Sequence, residues 1–317
     1  MVAELDIETG DGRTLHVYDS CGGELTVMWH HGTPNIGAPP KPLFAAADRL
    51  GVRFVSYDRP GYGGSTPRPG RDTASAAADA AAVADALGVS AFAVLGHSGG
   101  GSYALACAAL LPSRVTAAVS ISGLAPFTAD GLDWFAGMGP GSEASLRAAT
   151  AGRAAKEAHA ATESEPDFLP ADWAALDGEW GWFGSVVGPA MAGGPAPLID
   201  DDLAYVHQWG CDPATITAPV LLIHGSGDLI VPSAHSEWLS LRIPGAQLRV
   251  LPGEGHISVL PAATIQALEW LAQIKPASRR KDLDTTHSHA ATRAVADPVS
   301  RGLLWGFPRS WSCAVVH

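Results

Sequence analysis

Gly96-His97-Ser98-Gly99-Gly100 decides how this chain is read. It fits the pattern G-x-S-x-G, and its surroundings give that pattern meaning. The apolar run Ala91-Phe92-Ala93-Val94-Leu95 before it has the length of a strand, and Ser102 to Leu111 after it is rich in helix formers. A serine on a sharp strand-to-helix turn is forced outward, with its hydroxyl exposed at the end of a sheet. Small neighbours are required because the tight backbone leaves no room for Cβ atoms and a ligand must approach closely. The helix N-terminus behind the serine favours negative charge. Five such residues alone also suit a purely structural turn. The flanking strand and helix make Ser98 a candidate nucleophile.

Two later strand ends supply candidate partners. Ala218-Pro219-Val220-Leu221-Leu222-Ile223-His224 reads as a buried strand and ends in Gly225-Ser226-Gly227-Asp228. Gln247-Leu248-Arg249-Val250-Leu251 reads as a further strand and leads into Pro252-Gly253-Glu254-Gly255-His256. An acid held in a glycine turn past a strand end can orient an imidazole, and the imidazole can take the proton of a serine. Separately, Asp228 could close an Asx-turn and His256 could be one solvated histidine among 12. Rival bases are His235, in an expected helix after Pro232, and His287 and His289 near the C-terminus. Glu254 is too close to His256 in sequence to be its usual orienter. Upstream, Leu25 to His30 reads as a buried strand running into His31-Gly32-Thr33-Pro34.

These stretches, with Tyr57-Asp58-Arg59-Pro60-Gly61-Tyr62-Gly63-Gly64-Ser65, resemble the α/β-hydrolase superfamily of the HG-x-P / G-x-S-x-G type over residues 1 to about 275. The order Ser98, Asp228, His256 matches that family. The resemblance implies a mostly parallel sheet with helices on both faces and a helical cap. It implies Ser98 as nucleophile, His256 as general base then acid, and Asp228 as its orienter. The backbone N–H groups of Thr33 and Gly99 would hold the oxyanion. Asp58 and Arg59 would fix a loop rather than react. No metal or organic cofactor is called for. Relatives acting on haloalkanes or epoxides carry aspartate at the nucleophile position, so Ser98 argues against both. Proline iminopeptidases carry HGGPG, whereas this chain has His31-Gly32-Thr33-Pro34-Asn35. The implied activity is hydrolysis of a small or medium carboxylic ester. A C–C bond, a lactone or an amide suits the same parts, as does a ligand receptor with little turnover.

Composition fits that reading. A chain of 317 residues with 47% hydrophobic residues and mean hydropathy +0.12 buries a large core. No apolar run reaches membrane-spanning length, and the N-terminus has neither a basic nor an apolar leader region. The four cysteines are scattered, without metal-ligand or disulfide spacing. A cytoplasmic location is expected. The net charge of −12 disfavours nucleic acid and anionic membranes as partners, leaving a small-molecule substrate.

Strand and helix patterns alternate from Glu4 to Ile121, beginning with a hairpin around Gly10-Asp11-Gly12. The expected organisation is a core of 1–123 and 204–275, a cap insert of 124–203 and a disordered tail of 276–317. In the insert, helices are expected at Gly141 to His159 and Pro170 to Trp180. Hinges or loops are expected at Gly188-Pro189, Gly193-Gly194-Pro195 and Pro197. Trp134, Trp180 and Trp182, with His31, are candidate pocket residues. The tail holds six basic against three acidic residues, with Trp305, Phe307 and Trp311 near its end.

Overall fold

Eight strands form one sheet, as the alternation requires. The computed structural model describes residues 2–162 and 165–274. The expected tail, with His287 and His289, lies outside the described residues. β1 (Ala3–Glu8) and β2 (Thr14–Asp19) pair as an antiparallel hairpin that turns through Gly12 at φ +80°. β3 (Leu25–His30), β4 (Val52–Tyr57), β5 (Phe92–His97), β6 (Val115–Ile121), β7 (Val220–Gly225) and β8 (Gln247–Leu251) are parallel. The spatial order is β1-β2-β4-β3-β5-β6-β7-β8.

Helices α1 (Phe44–Leu50), α2 (Ser75–Ala86) and α3 (Gly99–Leu110) connect the first strands. Between β6 and β7 come α4 (Pro140–Thr150), α5 (Arg153–Ala160), α6 (Pro170–Asp177), α7 (Gly184–Met191) and α8 (Ala196–Tyr205). A 3₁₀ turn, Glu179–Phe183, joins α6 to α7. α9 (Ala234–Arg242) and α10 (Leu260–Gln273) follow β7 and β8. The central strands are buried on both sides, so their residues alternate between two cores. Phe92 and Val94 of β5, with Val220 and Leu222 of β7, pack with α2, α3 and α9. Ala93, Leu95, Leu221 and Ile223 pack with α1 and α10 on the opposite face. This explains why β5 and β7 read as continuous apolar runs.

The insert differs from the sequence expectation in detail. Gly141 to His159 is not one helix, because Gly152 at φ +101° breaks it into α4 and α5. Pro170 to Trp180 ends early at Gly178 and continues as the 3₁₀ turn. Gly188-Pro189 is not a hinge. It lies inside α7, where Val186 and Ala190, four residues apart, are buried and hold that turn inward. Pro197 sits in the first turn of α8, where no backbone N–H is needed. Residues up to Ile274 form one compact unit that includes the insert.

The strand order reverses between β3 and β5, since the chain leaves β3 toward β4 and then crosses to β3's other side. Open α/β sheets bind ligands at such a switch point, beyond the carboxyl ends of the strands. Thr33 follows β3 and Ser98 follows β5, while Asp228 and His256 follow β7 and β8.

Candidate active site

Ser98 stands between β5 and α3 with φ +57° and ψ −133°, a conformation that L-residues avoid. Its backbone is held at both ends: its N–H donates to Ile121 O at 2.9 Å, and its carbonyl accepts from Gly101 N at 2.9 Å. The neighbouring glycines are steric requirements. A Cβ on Gly96 would strike the Gly100 carbonyl, and one on Gly100 would strike the His30 carbonyl. The third glycine of the run has its own reason, because a Cβ on Gly101 would meet Ser120 Oγ. Among the described non-glycine residues Cys21 and Ser122 also have positive φ, but of the three only Ser98 borders the cavities at the sheet's carboxyl edge.

Asp228 and His256 come together as expected. His256 Nδ1 lies 2.7 Å from Asp228 Oδ2. A carboxylate can only accept, so Nδ1 carries the proton and Nε2 keeps its lone pair. Asp228 Oδ1 accepts from the N–H groups of Ile230 and Val231, both at 2.9 Å. Burial alone would raise the Asp228 carboxyl. The charge of His256 and hydrogen bonds from His224 and His256 override burial and hold it well below the usual carboxylate range. His256 and Ser98 line one cavity of about 330 Å³. Ser98 also borders a second of about 370 Å³. The Ser98 hydroxyl makes no hydrogen bond to a described residue.

Gly99 opens α3, so its N–H is among those with no intrahelical acceptor. Thr33 lines both cavities. Its hydroxyl donates to Asp201 Oδ2 at 2.6 Å and accepts from Arg59 Nη2 at 3.0 Å. With that proton spent on Asp201, the Tyr205 hydroxyl at 2.7 Å must be the donor to Thr33. The Thr33 side chain is therefore fixed from three sides.

Asp201, which the sequence did not single out, is the hub of that arrangement. It is fully buried on α8 and accepts from Arg59, Arg71, Tyr62 and Tyr103 as well as Thr33. Burial would raise its carboxyl, but the two guanidinium groups hold it well below its ordinary range. Asp58 and Arg59 fix loops as expected, but not with each other. Asp58 accepts from Gly37 N, Gly64 N and the Tyr18 hydroxyl, while Arg59 pairs with Asp201 and donates to the His31 and Gly32 carbonyls. Asp201→Ala would leave Arg59 and Arg71 buried without their shared anion. It is expected to cost about 3–5 kcal/mol of stability. Denaturant unfolding measures this; a loss under about 1 kcal/mol would contradict the hub.

Asp172 on α6 was also missed. It is 1% exposed and its Oδ1 accepts from Ile257 N at 2.8 Å and Ser258 N at 2.7 Å, the two residues after His256. His97 holds the same loop from the sheet side: its buried Nε2 donates to the His256 carbonyl at 3.0 Å. Burial, then the neighbouring His256, pulls His97 down to about 3, so it stays neutral. Asp172→Ala is expected to lower kcat on the order of 10²-fold with KM little changed, because it loosens the His256 loop. Asp172→Asn keeps one acceptor oxygen and should recover most of the loss. An equal effect of both substitutions, or an effect on KM alone, would contradict this role.

The four candidate pocket residues need correction. None of them lines either cavity at Ser98. His31 is buried, and both ring nitrogens are engaged: Nδ1 with the Gly32 carbonyl at 2.8 Å and Nε2 with Arg59 N–H at 3.0 Å. Trp134 donates to the Ala125 carbonyl and packs edge-on against Phe127, Phe135 and His235 in the core. Trp180 is buried beside Trp182 and Phe183. Trp182 faces a separate depression with Lys41, Pro42 and Glu179. Trp134 and Trp180 fill the interior of the helical insert and its junction with the sheet. Phe168, Phe183 and Tyr205 supply the aromatic walls at Ser98 instead.

His235 is excluded as a rival base by its bonds. It accepts from Ala125 N at 3.1 Å, donates to the Trp134 carbonyl at 2.9 Å, and is pulled down to about 3 by burial. Among the described residues, no group of three or more His, Cys, Asp or Glu side chains is arranged to hold a metal ion. Among them, too, no helix is long and apolar enough to cross a membrane.

Residues 26–263 match the family model described as the alpha/beta hydrolase fold. The chain belongs to that family. It is 28% identical to a non-heme haloperoxidase of Rhodococcus erythropolis over 82% of this chain and 96% of that protein. Its fold is similar to that of the esterase EaEST from Exiguobacterium antarcticum, with a TM-score of 0.64 and 22% identity over 85% of this chain and 99% of that one. It is equally similar to the enol-lactonase of Burkholderia xenovorans LB400, with a TM-score of 0.64 and 19% identity over 84% of this chain and 99% of that one. These comparisons support a hydrolase of this family.

Proposed function

We propose that this hydrolase cleaves a small or medium carboxylic ester through an acyl-enzyme formed on Ser98. One observation carries the reading. Ser98, held at φ +57°, opens on the same cavity as His256, whose Nδ1 is committed to Asp228 at 2.7 Å. The free Nε2 takes the Ser98 proton as Oγ attacks the acyl carbon. The carbonyl oxygen becomes an oxyanion facing the N–H groups of Thr33 and Gly99. His256 then returns the proton to the leaving alcohol oxygen as the C–O bond breaks. Water repeats the sequence: His256 takes its proton, hydroxide adds to the acyl carbon, and Ser98 leaves with the proton restored. The helices between β6 and β7 act as the cap, since α4, α6 and α8 all contribute side chains around the cavities.

A series of p-nitrophenyl esters followed in the first turnovers tests this. The expected result is a burst of nitrophenolate equal in amount to enzyme, then slower steady release. Absence of turnover on every ester, together with no reaction toward a fluorophosphonate, would overturn the reading.

A further inference from the structure

The two cavities at Ser98 differ in chemistry. The one holding His256 is walled by Phe168, Leu176, Phe183 and Val187. The other contains Ser145, Glu165, Asp202 and Tyr205. Ser98 and Thr33 border both. The following rests on Ser98 being the nucleophile. A tetrahedral carbon on Ser98 Oγ has three other substituents. The oxyanion faces the Thr33 and Gly99 N–H groups. The leaving oxygen must face His256, which protonates it, and so lies in the apolar cavity. The acyl chain is left with the cavity that contains Asp202.

Asp202 is built to meet a donor there. It is only 9% exposed, and its Oδ2 lies 2.5 Å from Lys156 Nζ. Lys156 is 1% exposed and spends its remaining donors on the Ser145 hydroxyl and carbonyl. The ammonium is thereby satisfied, whereas Asp202 Oδ1 has no partner among the described residues. That oxygen is open to the cavity, and a ligand donor that fills the cavity can make a charge-assisted hydrogen bond to it, about twice as strong as a neutral one. Glu165 on the same wall adds a second acceptor and repels anions.

We propose that the preferred substrates pair an apolar alcohol with an acyl chain bearing a hydrogen-bond donor, a hydroxyl or an ammonium. A carboxylate-tipped acyl chain is disfavoured.

The test compares kcat/KM for benzyl esters of butanoate, 3-hydroxybutanoate, 3-aminobutanoate, hexanoate, 6-hydroxyhexanoate and hemisuccinate, with 2-hydroxyethyl hexanoate as the reversed pattern. At least one donor-bearing ester should exceed its alkyl counterpart by about tenfold or more, the factor expected of one hydrogen bond to a charged acceptor. The hydroxy and amino esters separate the two donor types. Hemisuccinate and 2-hydroxyethyl hexanoate should be poor substrates. Replacing both members of the buried pair, Lys156→Met with Asp202→Leu, avoids stranding a charge and should bring the donor preference to about one. Alkyl esters equal to or better than all donor-bearing ones, or a preference that survives the double substitution, would overturn the proposal while leaving Ser98 as nucleophile. No turnover of any ester would instead overturn the nucleophile reading and this proposal with it.

Discussion

Ser98→Ala is expected to reduce ester turnover by roughly 10⁵–10⁶-fold, and His256→Ala by about as much, with no further loss when the two are combined. The reason is mechanistic unity. Without Oγ there is no acyl-enzyme, and without Nε2 nothing accepts the Oγ proton, so either loss disables the same step. The fold should not change. The Ser98 hydroxyl has no hydrogen bond to a described residue, and alanine retains the Cβ that the positive φ already accommodates. Asp228→Asn should be milder but still severe, on the order of 10⁴-fold, because the amide can present N–H to His256 and favour the wrong tautomer. Steady-state kinetics on one activated ester, with the thermal midpoint as the control for folding, measures all three. Additive losses in the double variant, or a mild effect of His256→Ala beside a large one of His235→Ala, would contradict the assignment.

Mild acid is expected to weaken the protein steeply. His30, His97 and His235 are each pulled down to about 3, in every case chiefly by burial, and His31 is also held well below its ordinary value by burial and Arg59. In the unfolded chain a histidine titrates near ~6.5. Between that value and the depressed folded ones, the unfolded state binds more protons, so stability falls as pH falls. Each such group contributes about 1.4 kcal/mol per pH unit below ~6.5, and the four together about 5 kcal/mol between pH ~7.5 and ~5.5. His16 opposes them: its partial burial lowers it, but its Asp6 partner raises it overall, and it is one group against four. Asp58, Asp79 and Asp202, raised by burial, also oppose the loss, but only nearer the carboxylate range. Asp201 and Asp228, held low, lose their contribution only below the unfolded carboxylate value of about 4. Denaturant unfolding at both pH values gives the difference directly. A flat free energy over that interval would mean these histidines gain protons in the folded state.

What the sequence made legible follows from how local each signal is. The strands at Leu25 and Gln247 were readable to the residue: the first is a short apolar run bounded by turns, and the second, partly exposed at the sheet edge, alternates Gln, Leu, Arg and Val between turns. The elbow was readable because its glycines are forced by contacts within one strand–turn–helix unit. Asp228 and His256 were readable because each ends a recognisable strand. Asp201 and Asp172 were not, since each looks like one more acid on a helix of the insert. What sets them apart is the set of partners brought in by the fold: Arg59 and Arg71 lie 142 and 130 residues from Asp201, and Ile257 lies 85 residues from Asp172. The tryptophans misled for a related reason. A large aromatic ring in an insert suits a core as well as a pocket, and only the packing around Trp134 and Trp180 decides between them. The insert's helix ends were misplaced where one glycine, Gly152, breaks a helix and one proline, Pro189, fails to.

The central claim is that Ser98 is the residue that becomes acylated. The direct measurement is to treat the protein with a fluorophosphonate, digest it, and locate the adduct by tandem mass spectrometry. One phosphonyl group per chain is expected, on Ser98, and none on the His256→Ala variant over the same time. An adduct on another serine, with Ser98 unmodified, would contradict it.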